Sequence, residues 1–399
     1  MHRTTRVIGA TLGLLLGMAA CNNESLLAPG NLKVVNPLFE RYVSMGNSLT
    51  AGFQSGGIND STQSQSYPVL LSRQMGTLFF VPYMSRPGCP APFTNVFTQT
   101  RLPGPPCALR KPQPVPPPYI NNVAVPGAEV MDAISNLDTA SNANALTTFF
   151  LGGLTQTQMM QRVNPTFVTV WLGNNDVLGA ATNGANAGDT TKITDPALFQ
   201  ARYTAAVGAI KQTDVRGGVL IGVANVTLVP YFTQGQVYLA LKLANALPPN
   251  LTVMPACAPS ALGGQGDSTL VPFPFAGALL AKAATTPDTL YCTEPQTIQP
   301  AELRKLVATV TSYNTFIQSQ ATANGWIYFN PNVALGALKA DTSQVHPFPS
   351  FGAPCAANPF GKAFTCDAIH ASASTHKLIA NTLIDSINVH YSTSIPKIP

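Results

Sequence analysis

The sequence predicts an α/β fold, a three-layer α/β/α sandwich with a mostly parallel central sheet. Short continuous apolar runs, which are typical of strands buried on both faces, recur at 39–45, 121–125, 166–172, 219–223 and 327–329. Segments with helical apolar spacing alternate with them, at 67–75, 128–137, 197–212, 303–323 and 375–389. Because a helix is the usual connection between parallel strands, this alternation favours one sheet covered on both sides.

Local features support the individual elements. The helix at 67–75 has Pro68 in its first turn, where proline is tolerated. The run at 166–172 is apolar throughout, so Phe167 and Trp171 are predicted to be core residues. The last helix places its large apolar residues on one face. They are Leu378, Ile379, Leu383, Ile384 and Ile387.

Two long segments interrupt this alternation. Residues 86–118 contain many prolines and two cysteines, which predicts an irregular, disulfide-pinned excursion. Residues 230–300 are apolar and rich in Pro and Gly, and they are predicted to form an insertion over the sheet rather than a second domain. The sequence therefore predicts one domain over 38–391 with these two insertions, followed by a tail at 392–399.

Residues 1–20 read as a secretory signal. Arg3 and Arg6 precede an uncharged apolar run over 7–20, and that run is too short to span a bilayer, which needs about 20 apolar residues. The chain is therefore expected to be exported. Residues 21–37 are interpreted as a tether between this signal and the domain.

The junction at Cys21 resembles a bacterial lipobox, because the small residues Ala19 and Ala20 precede it. The resemblance implies cleavage before Cys21 and a membrane anchor through lipid on that residue. Asn22, where some lipoproteins have Asp, implies the outer membrane or the cell surface. The alternative is ordinary cleavage near Ala20, which would give a periplasmic or secreted protein with a spare cysteine.

The remaining cysteines predict disulfides. The chain has seven, and those other than Cys21 form an even set: Cys89, Cys107, Cys257, Cys292, Cys355 and Cys366. Pairing each with its nearest neighbour is the simplest of about 15 possible connectivities in an exported chain. No Cys-x-x-Cys or His cluster indicates a metal site.

Composition limits the functional classes. The 45% hydrophobic content of the 399 residues is enough for a sizeable core. Charged residues make up only 10% of the chain, well below the usual quarter. The net charge is +5 and no basic run stands out, so no nucleic-acid partner is predicted. The oligomeric state stays open.

The stretch from Tyr42 to Gly52 is the first candidate for chemistry. An apolar run delivers Ser48 to a turn between Gly46 and Gly52, and these glycines leave room around the hydroxyl. A serine presented in this way suits a nucleophile, provided that a base removes its proton. The alternative is an ordinary strand-to-loop turn, in which Gly, Asn and Ser are favoured for unrelated reasons.

A second candidate lies near the C-terminus, where Asp367 stands three residues before His370. An Asp at this spacing can accept a hydrogen bond from the imidazole Nδ1 and leave Nε2 free as a base. A structural loop before a helix is the alternative. Ser48, Gly127 and Asn175 follow three of the predicted strands, and ligands of parallel sheets bind at the carboxyl ends of the strands.

Four blocks in order resemble the SGNH hydrolases, also called GDSL esterases and lipases. The blocks are Gly-Asn-Ser-Leu at 46–49, Gly127 after a strand, Gly-Asn-Asn-Asp at 173–176, and Asp-Ala-Ile-His at 367–370. The resemblance implies a flavodoxin-like fold. It also implies Ser48 as nucleophile, His370 as base and Asp367 as the orienting acid. The backbone N–H groups of Ser48 and Gly127 and the amide of Asn175 would form the oxyanion hole.

Asn47 departs from the family, whose commonest form has Asp at this position, and we expect catalysis to survive this change. Among the other histidines, His376 is expected to be packed or solvent-facing, and His346 to be structural or to line the pocket. Asp176 is expected to cap or hydrogen-bond a following turn.

The sequence therefore predicts a serine ester hydrolase that forms an acyl-enzyme and needs no cofactor or metal. Its first expected substrate is a lipid or medium-chain ester, with the apolar insertions bordering the acyl or alcohol site. A carbohydrate O-acetyl ester is the second. A surface ligand-binding lipoprotein without activity, and a structural or adhesion lipoprotein, are the alternatives from other classes.

Overall fold

A computed structural model describes residues 33–112, 117–135 and 145–399. The predicted signal at 1–20, Cys21, most of the tether and the end of the helix predicted at 128–137 lie outside these residues. The described strands are β1 (Tyr42–Gly46), β2 (Phe93–Asn95), β3 (Thr100–Arg101), β4 (Phe167–Trp171), β5 (Gly217–Ile221), β6 (Phe232–Gln234), β7 (Leu251–Val253), β8 (Leu270–Pro272), β9 (Asp288–Leu290) and β10 (Ile327–Phe329).

The helices complete the sandwich. They are α1 (Ser48–Ala51), α2 (Asp60–Ser64), α3 (Tyr67–Met75), α4 (Val130–Ile134), α5 (Ala145–Leu151), α6 (Gln156–Val163), α7 (Asn175–Ala181), α8 (Pro196–Lys211), α9 (Gly235–Leu243), α10 (Phe273–Ala283), α11 (Pro300–Ala323), α12 (Pro331–Ala340) and α13 (Ala373–Tyr391). Among these described residues, no helix is both long and apolar enough to cross a bilayer.

The central sheet is parallel, with strand order β1-β4-β5-β10. The segment predicted as a strand at 121–125 lies along the outer edge of β1. There Val123 N donates to Ser44 O at 2.9 Å, and Val125 N donates to Gly46 O at 3.2 Å. The carboxyl ends of these segments therefore meet at one edge of the sheet, as the fold class requires.

Alternating side chains of the sheet build a core on each face. On one face, Val43, Met45 and Val170 pack against α4, α6, α8 and α11. On the other, Tyr42, Trp171 and residues of β5 and β10 pack against α3 and α13. The predicted α/β/α sandwich is confirmed, and Phe167 and Trp171 are core residues as expected.

The two insertions contain regular structure. The segment at 86–118 was expected to be irregular, but β2 and β3 form a short antiparallel hairpin within it. The segment at 230–300 contains the antiparallel pair β6–β8, the parallel pair β7–β9, and α9 and α10. It has its own small apolar cluster, which includes Tyr238, Leu251 and Val271.

Three disulfides join the nearest-neighbour pairs that the sequence suggested. They are Cys89–Cys107, Cys257–Cys292 and Cys355–Cys366. The first lies in the insertion at 86–118 and the second in that at 230–300. The third closes a loop of about 11 residues immediately before Asp367.

Both insertions converge beneath this third loop. Val96 of the first insertion and Phe273 of the second share an apolar cluster with Cys366 and Ala368. Tyr231 N, at the start of the second insertion, also donates to Ala368 O at 3.1 Å. The insertions therefore support the loop that carries Asp367 and His370.

Candidate active site

Ser48 begins a helix at the carboxyl end of β1. Asn47 is extended (φ −116°, ψ −150°), and Ser48 is the first residue of α1. A Cβ at Gly46 would collide with the side chain of Thr50, so only glycine allows this turn. Gly52 ends α1 in the left-handed region at φ +92°, where glycine is favoured. The two glycines thus shape the turn that presents the Ser48 hydroxyl.

The structure joins Ser48, His370 and Asp367 by hydrogen bonds. His370 Nε2 lies 2.8 Å from Ser48 Oγ, although the residues are 322 positions apart in the chain. His370 Nδ1 lies 2.8 Å from Asp367 Oδ2. The Asp367 and His370 side chains are 11% and 12% exposed, so the chain of bonds is shielded but reachable from solvent.

A tight turn fixes Asp367 against His370. Ala368 adopts a left-handed φ of +63°, and Asp367 Oδ1 accepts from the N–H groups of Ile369 and His370 at 3.0 and 2.9 Å. Asp residues favour such turns because the side chain bonds to the backbone that follows. Gly56 N donates to Oδ2 at 2.5 Å. These backbone bonds therefore fix the orientation of the carboxylate independently of its contact with the imidazole ring.

These contacts keep Asp367 ionised. Burial raises the pKa of the Asp367 carboxyl, but His370 and the donated backbone hydrogen bonds lower it more. Its pKa consequently lies well below the ordinary value. An ionised Asp367 accepts a hydrogen bond from the Nδ1–H group, so the ring proton stays on Nδ1 and Nε2 keeps a lone pair facing the Ser48 hydroxyl.

Gly127 and Asn175 lie in loops beside the Ser48 turn. Gly127 comes two residues after Val125, which bonds to Gly46, and it has an exposed backbone at φ +80°. Asn175 begins α7, just beyond the end of β4. Its Nδ2 donates one hydrogen to Ala128 O at 2.9 Å. Because an amide nitrogen carries two hydrogens, the second is left for another acceptor.

Asp176 also fastens the Gly127 loop. It was expected to cap or hydrogen-bond a following turn, and Thr194 N donates to Asp176 O at 2.9 Å. Asp176 Oδ2 in addition accepts from Val130 N, which precedes it in the chain, at 3.0 Å. Asp176 is fully buried. Burial, with a smaller effect from Glu129, raises the pKa of Asp176 to about 7. Asn175 and Asp176 together tie the end of β4 to residues 128–130.

Gln156 is a positioning residue that the sequence motifs do not reveal. Its side chain is fully buried and forms two hydrogen bonds with the backbone of Gly46. Gly46 N donates to Gln156 Oε1 at 3.0 Å, and Gln156 Nε2 donates to Gly46 O at 2.9 Å. The residues are 110 positions apart, so no local signal could identify the pair.

The Asn47 side chain is buried, 1% exposed, and neither its oxygen nor its nitrogen has a hydrogen-bond partner among the described residues. A carboxylate in the same place would be a buried charge without a compensating contact, which costs more than a neutral amide. This environment gives a physical reason for Asn rather than Asp at this position.

The other two candidate histidines lie apart from Ser48. His376 is fully buried in α13 and packed, where its Nδ1 accepts from Tyr67 N at 3.4 Å. Burial, with a smaller effect from His370, lowers the pKa of His376 to about 3. His346 lines a separate cavity that also contains Lys339. Among the described residues, no group of three or more His, Cys, Asp or Glu is placed to hold a metal ion.

Comparisons with known proteins give structural likeness only. No family model matches the chain, and no curated protein sequence matches it. A variant of an acetyl-xylooligosaccharide esterase from Geobacillus stearothermophilus is 12% identical, with a TM-score of 0.37, over 87% of this chain and 94% of that chain.

Two further solved structures are similarly distant. An α/β hydrolase from the metagenome of Lake Arreo is 12% identical, with a TM-score of 0.38, over 90% of this chain and 97% of that chain. An extracellular lipase from Streptomyces rimosus is 13% identical, with a TM-score of 0.36, over 84% and 94%. Function therefore has to be derived from the geometry of the site.

Proposed function

We propose that this protein is a serine ester hydrolase in which Ser48 is the nucleophile, His370 the base and Asp367 the group that orients His370. The hydrogen-bonded chain Asp367–His370–Ser48 is the observation that carries the proposal. Its order and its two 2.8 Å distances match what nucleophilic acyl transfer needs.

The proposed reaction has two halves. Ser48 Oγ attacks the ester carbonyl while His370 Nε2 takes the hydroxyl proton. The tetrahedral intermediate collapses, and the departing alcohol takes that proton from His370. Water then attacks the acyl-Ser48 ester, again with His370 as base, and releases the acid and a free Ser48. Asp367 stabilises the imidazolium that forms in each half.

We assign the oxyanion hole to the backbone N–H groups of Ser48 and Gly127 and to Asn175 Nδ2. All three donors follow segments that run side by side to the same edge of the sheet. An amide donates without adding charge, and the bond to Ala128 O fixes the orientation of the Asn175 side chain. Removing one such donor typically costs about 2.7 to 4 kcal/mol of transition-state stabilisation.

We also propose that the chain is exported and held at the outer membrane or cell surface through lipid on Cys21. The charged and apolar pattern of residues 1–20 and the three disulfides support export. An intact-mass measurement should show a lipid mass gain on Cys21, with partitioning into detergent. A protein that carries no lipid and stays in the aqueous phase would contradict the membrane anchor, but it would still agree with export.

Labelling with a fluorophosphonate probe tests the enzyme proposal. We expect one adduct on Ser48, and turnover of nitrophenyl esters that is lost in Ser48→Ala. Ser319→Ala is the matched control, because Ser319 is an exposed serine of α11 bonded only to its own helix at Phe316 O. Absence of the adduct together with unchanged turnover in Ser48→Ala would reject the proposal in favour of a binding or structural lipoprotein.

A further inference from the structure

An apolar groove opens beside Ser48. Its interior space is about 80 Å³, so it is a narrow groove that widens toward solvent at its mouth. Trp171 and Phe329, at the carboxyl ends of β4 and β10, form its floor. Ala334 of α12 and Leu378 of α13 lie on opposite walls. The groove is therefore part of the central domain.

One end of the groove lies next to the candidate active site. Leu49, which directly follows Ser48, and Ile369, which directly precedes His370, both line it, whereas Ser48 and His370 themselves do not. An acyl group attached to Ser48 would therefore enter the groove past Leu49 and Ile369. The insertions were expected to border the acyl or alcohol site, but none of the lining residues comes from 86–118 or 230–300.

The lining suits a hydrocarbon and offers little to a sugar. No described residue that lines the groove is charged. Its polar groups are the hydroxyls of Thr375 and Thr382 and the indole N–H of Trp171, which is buried below the groove surface. Both hydroxyls already donate within the protein, Thr375 to Ala363 O at 2.8 Å and Thr382 to Leu378 O at 2.9 Å. A hydroxylated ligand would lose hydrogen bonds to water there without replacement.

The length of the groove sets a limit on the chain. Along α13 the lining extends from Thr375 to Thr382. Seven residues of helix measure roughly 10 Å. An extended hydrocarbon gains roughly 1.3 Å per carbon, from C–C bonds of about 1.5 Å. The groove therefore has room for about eight carbons.

We propose that this groove binds the acyl chain of the ester substrate, selects medium-length chains near eight carbons, and leaves the alcohol group on the opposite, insertion side of Ser48. This inference rests on the proposed ester hydrolase activity and adds the substrate class. Leu378 supports it, since this large apolar side chain is 43% exposed at the groove without a bound ligand.

A chain-length series tests the assignment. We expect kcat/KM for nitrophenyl esters to rise by up to about fourfold per methylene, the factor for a fully buried CH₂. The rise should end near octanoate, and kcat/KM should fall for dodecanoate. Ala334→Phe fills the groove from one wall and should lower kcat/KM for octanoate by about tenfold or more, while acetate stays within about twofold.

Ala337→Phe is the matched control, because Ala337 is exposed on the same helix and does not line the groove. Leu378→Lys is a second variant at an exposed position that folding tolerates, and a charge there should also penalise octanoate selectively. Ser48-dependent turnover that is best for acetate and unchanged by Ala334→Phe and Leu378→Lys would overturn the groove assignment alone. Absence of Ser48-dependent turnover for every ester would overturn the ester hydrolase proposal.

Discussion

The Ser48 turn and the Asp367–His370 loop meet at a single hydrogen bond but are held in different ways. The Ser48 turn grows out of β1, which pairs with β4 on one side and with 121–125 on the other. The Asp367–His370 loop belongs to no strand of the central sheet. A disulfide, an apolar cluster from both insertions and bonds to residues 55–56 hold it instead.

The difference shows that an exact distance between two side chains does not require one rigid element. Parallel strands fix the Ser48 turn through a ladder of backbone hydrogen bonds, which any sequence of suitable apolar residues can form. The position of His370 depends instead on the particular side-chain contacts of its loop. Damage to the loop should therefore lower activity even under conditions where the rest of the protein stays folded, whereas damage to the turn also disturbs the core around the sheet.

The largest expected effect is at Asp367. Asp367→Asn keeps the shape of the side chain but loses the charge that fixes the His370 tautomer, and in serine hydrolases this change lowers kcat by about 10⁴. Asp341→Asn, at an exposed Asp outside the site, is the control. Steady-state kinetics of nitrophenyl ester hydrolysis measure both. A loss of less than about tenfold in Asp367→Asn would argue against its proposed role.

The turn is tested at Gln156. Gln156→Leu leaves Gly46 N–H unpaired in the core, which should lower the free energy of unfolding by about 1 to 3 kcal/mol. Displacement of the Ser48 turn should also lower kcat/KM by about a hundredfold. Gln161→Leu changes an exposed glutamine of the same helix. Urea unfolding and steady-state kinetics of both variants provide the check. Equal stability of the two variants would contradict a stabilising role for the Gln156–Gly46 hydrogen bonds.

The loop is tested by removing its cross-link. The pair of changes Cys355→Ser and Cys366→Ser should lower kcat/KM by about tenfold at temperatures where the protein stays folded. Cys257→Ser with Cys292→Ser removes a disulfide that lies away from Asp367, and it should leave kcat/KM near the parent value. Both pairs should lose stability of roughly 3 kcal/mol, measured by urea unfolding. Equal activity of the two pairs would show that the loop does not depend on its own disulfide.

The smallest expected effect is on the pH dependence of stability, through Asp176, which is bonded to the Gly127 loop. The pKa of Asp176 is raised to about 7 in the folded state, above the unfolded value of about 3.9. Its contribution to stability is therefore complete below about pH 4 and is lost as the pH rises through about 7. Asp176→Asn should flatten the decrease in melting temperature over this range, and Asp195→Asn, at an exposed N-cap, should not. An unchanged pH profile in Asp176→Asn would contradict the raised pKa.

Sequence reasoning succeeded where the physics is local. The alternation of apolar runs and helices predicted β1, β4, α3 and α13 and the edge at which Ser48, Gly127 and Asn175 lie, because burial and periodicity depend on neighbouring residues. It did not predict α12, a wall of the groove, because a ten-residue helix capped by Asn330 competes with turn signals at both of its ends.

Contacts between distant segments could not be predicted from the sequence. Examples are the hydrogen bonds of Gln156 to Gly46 and the packing of both insertions near Ala368, which depend on how the whole chain folds. Their residue types, a glutamine, a few aromatics and an alanine, carry no chemical signature of a site. The expectation that the insertions border the acyl or alcohol site stays a prediction for the same reason: apolar composition indicates burial, but it does not indicate the surface against which the residues are buried.

The span between Ser48 and His370 also determines when the site can exist. His370 comes 322 positions after Ser48 in the chain. A chain that has been synthesised only as far as Ser48 and its strand therefore lacks the imidazole that hydrogen-bonds to the Ser48 hydroxyl. Under the proposed chemistry, recovery of ester hydrolysis after refolding reports that these two distant segments have come together.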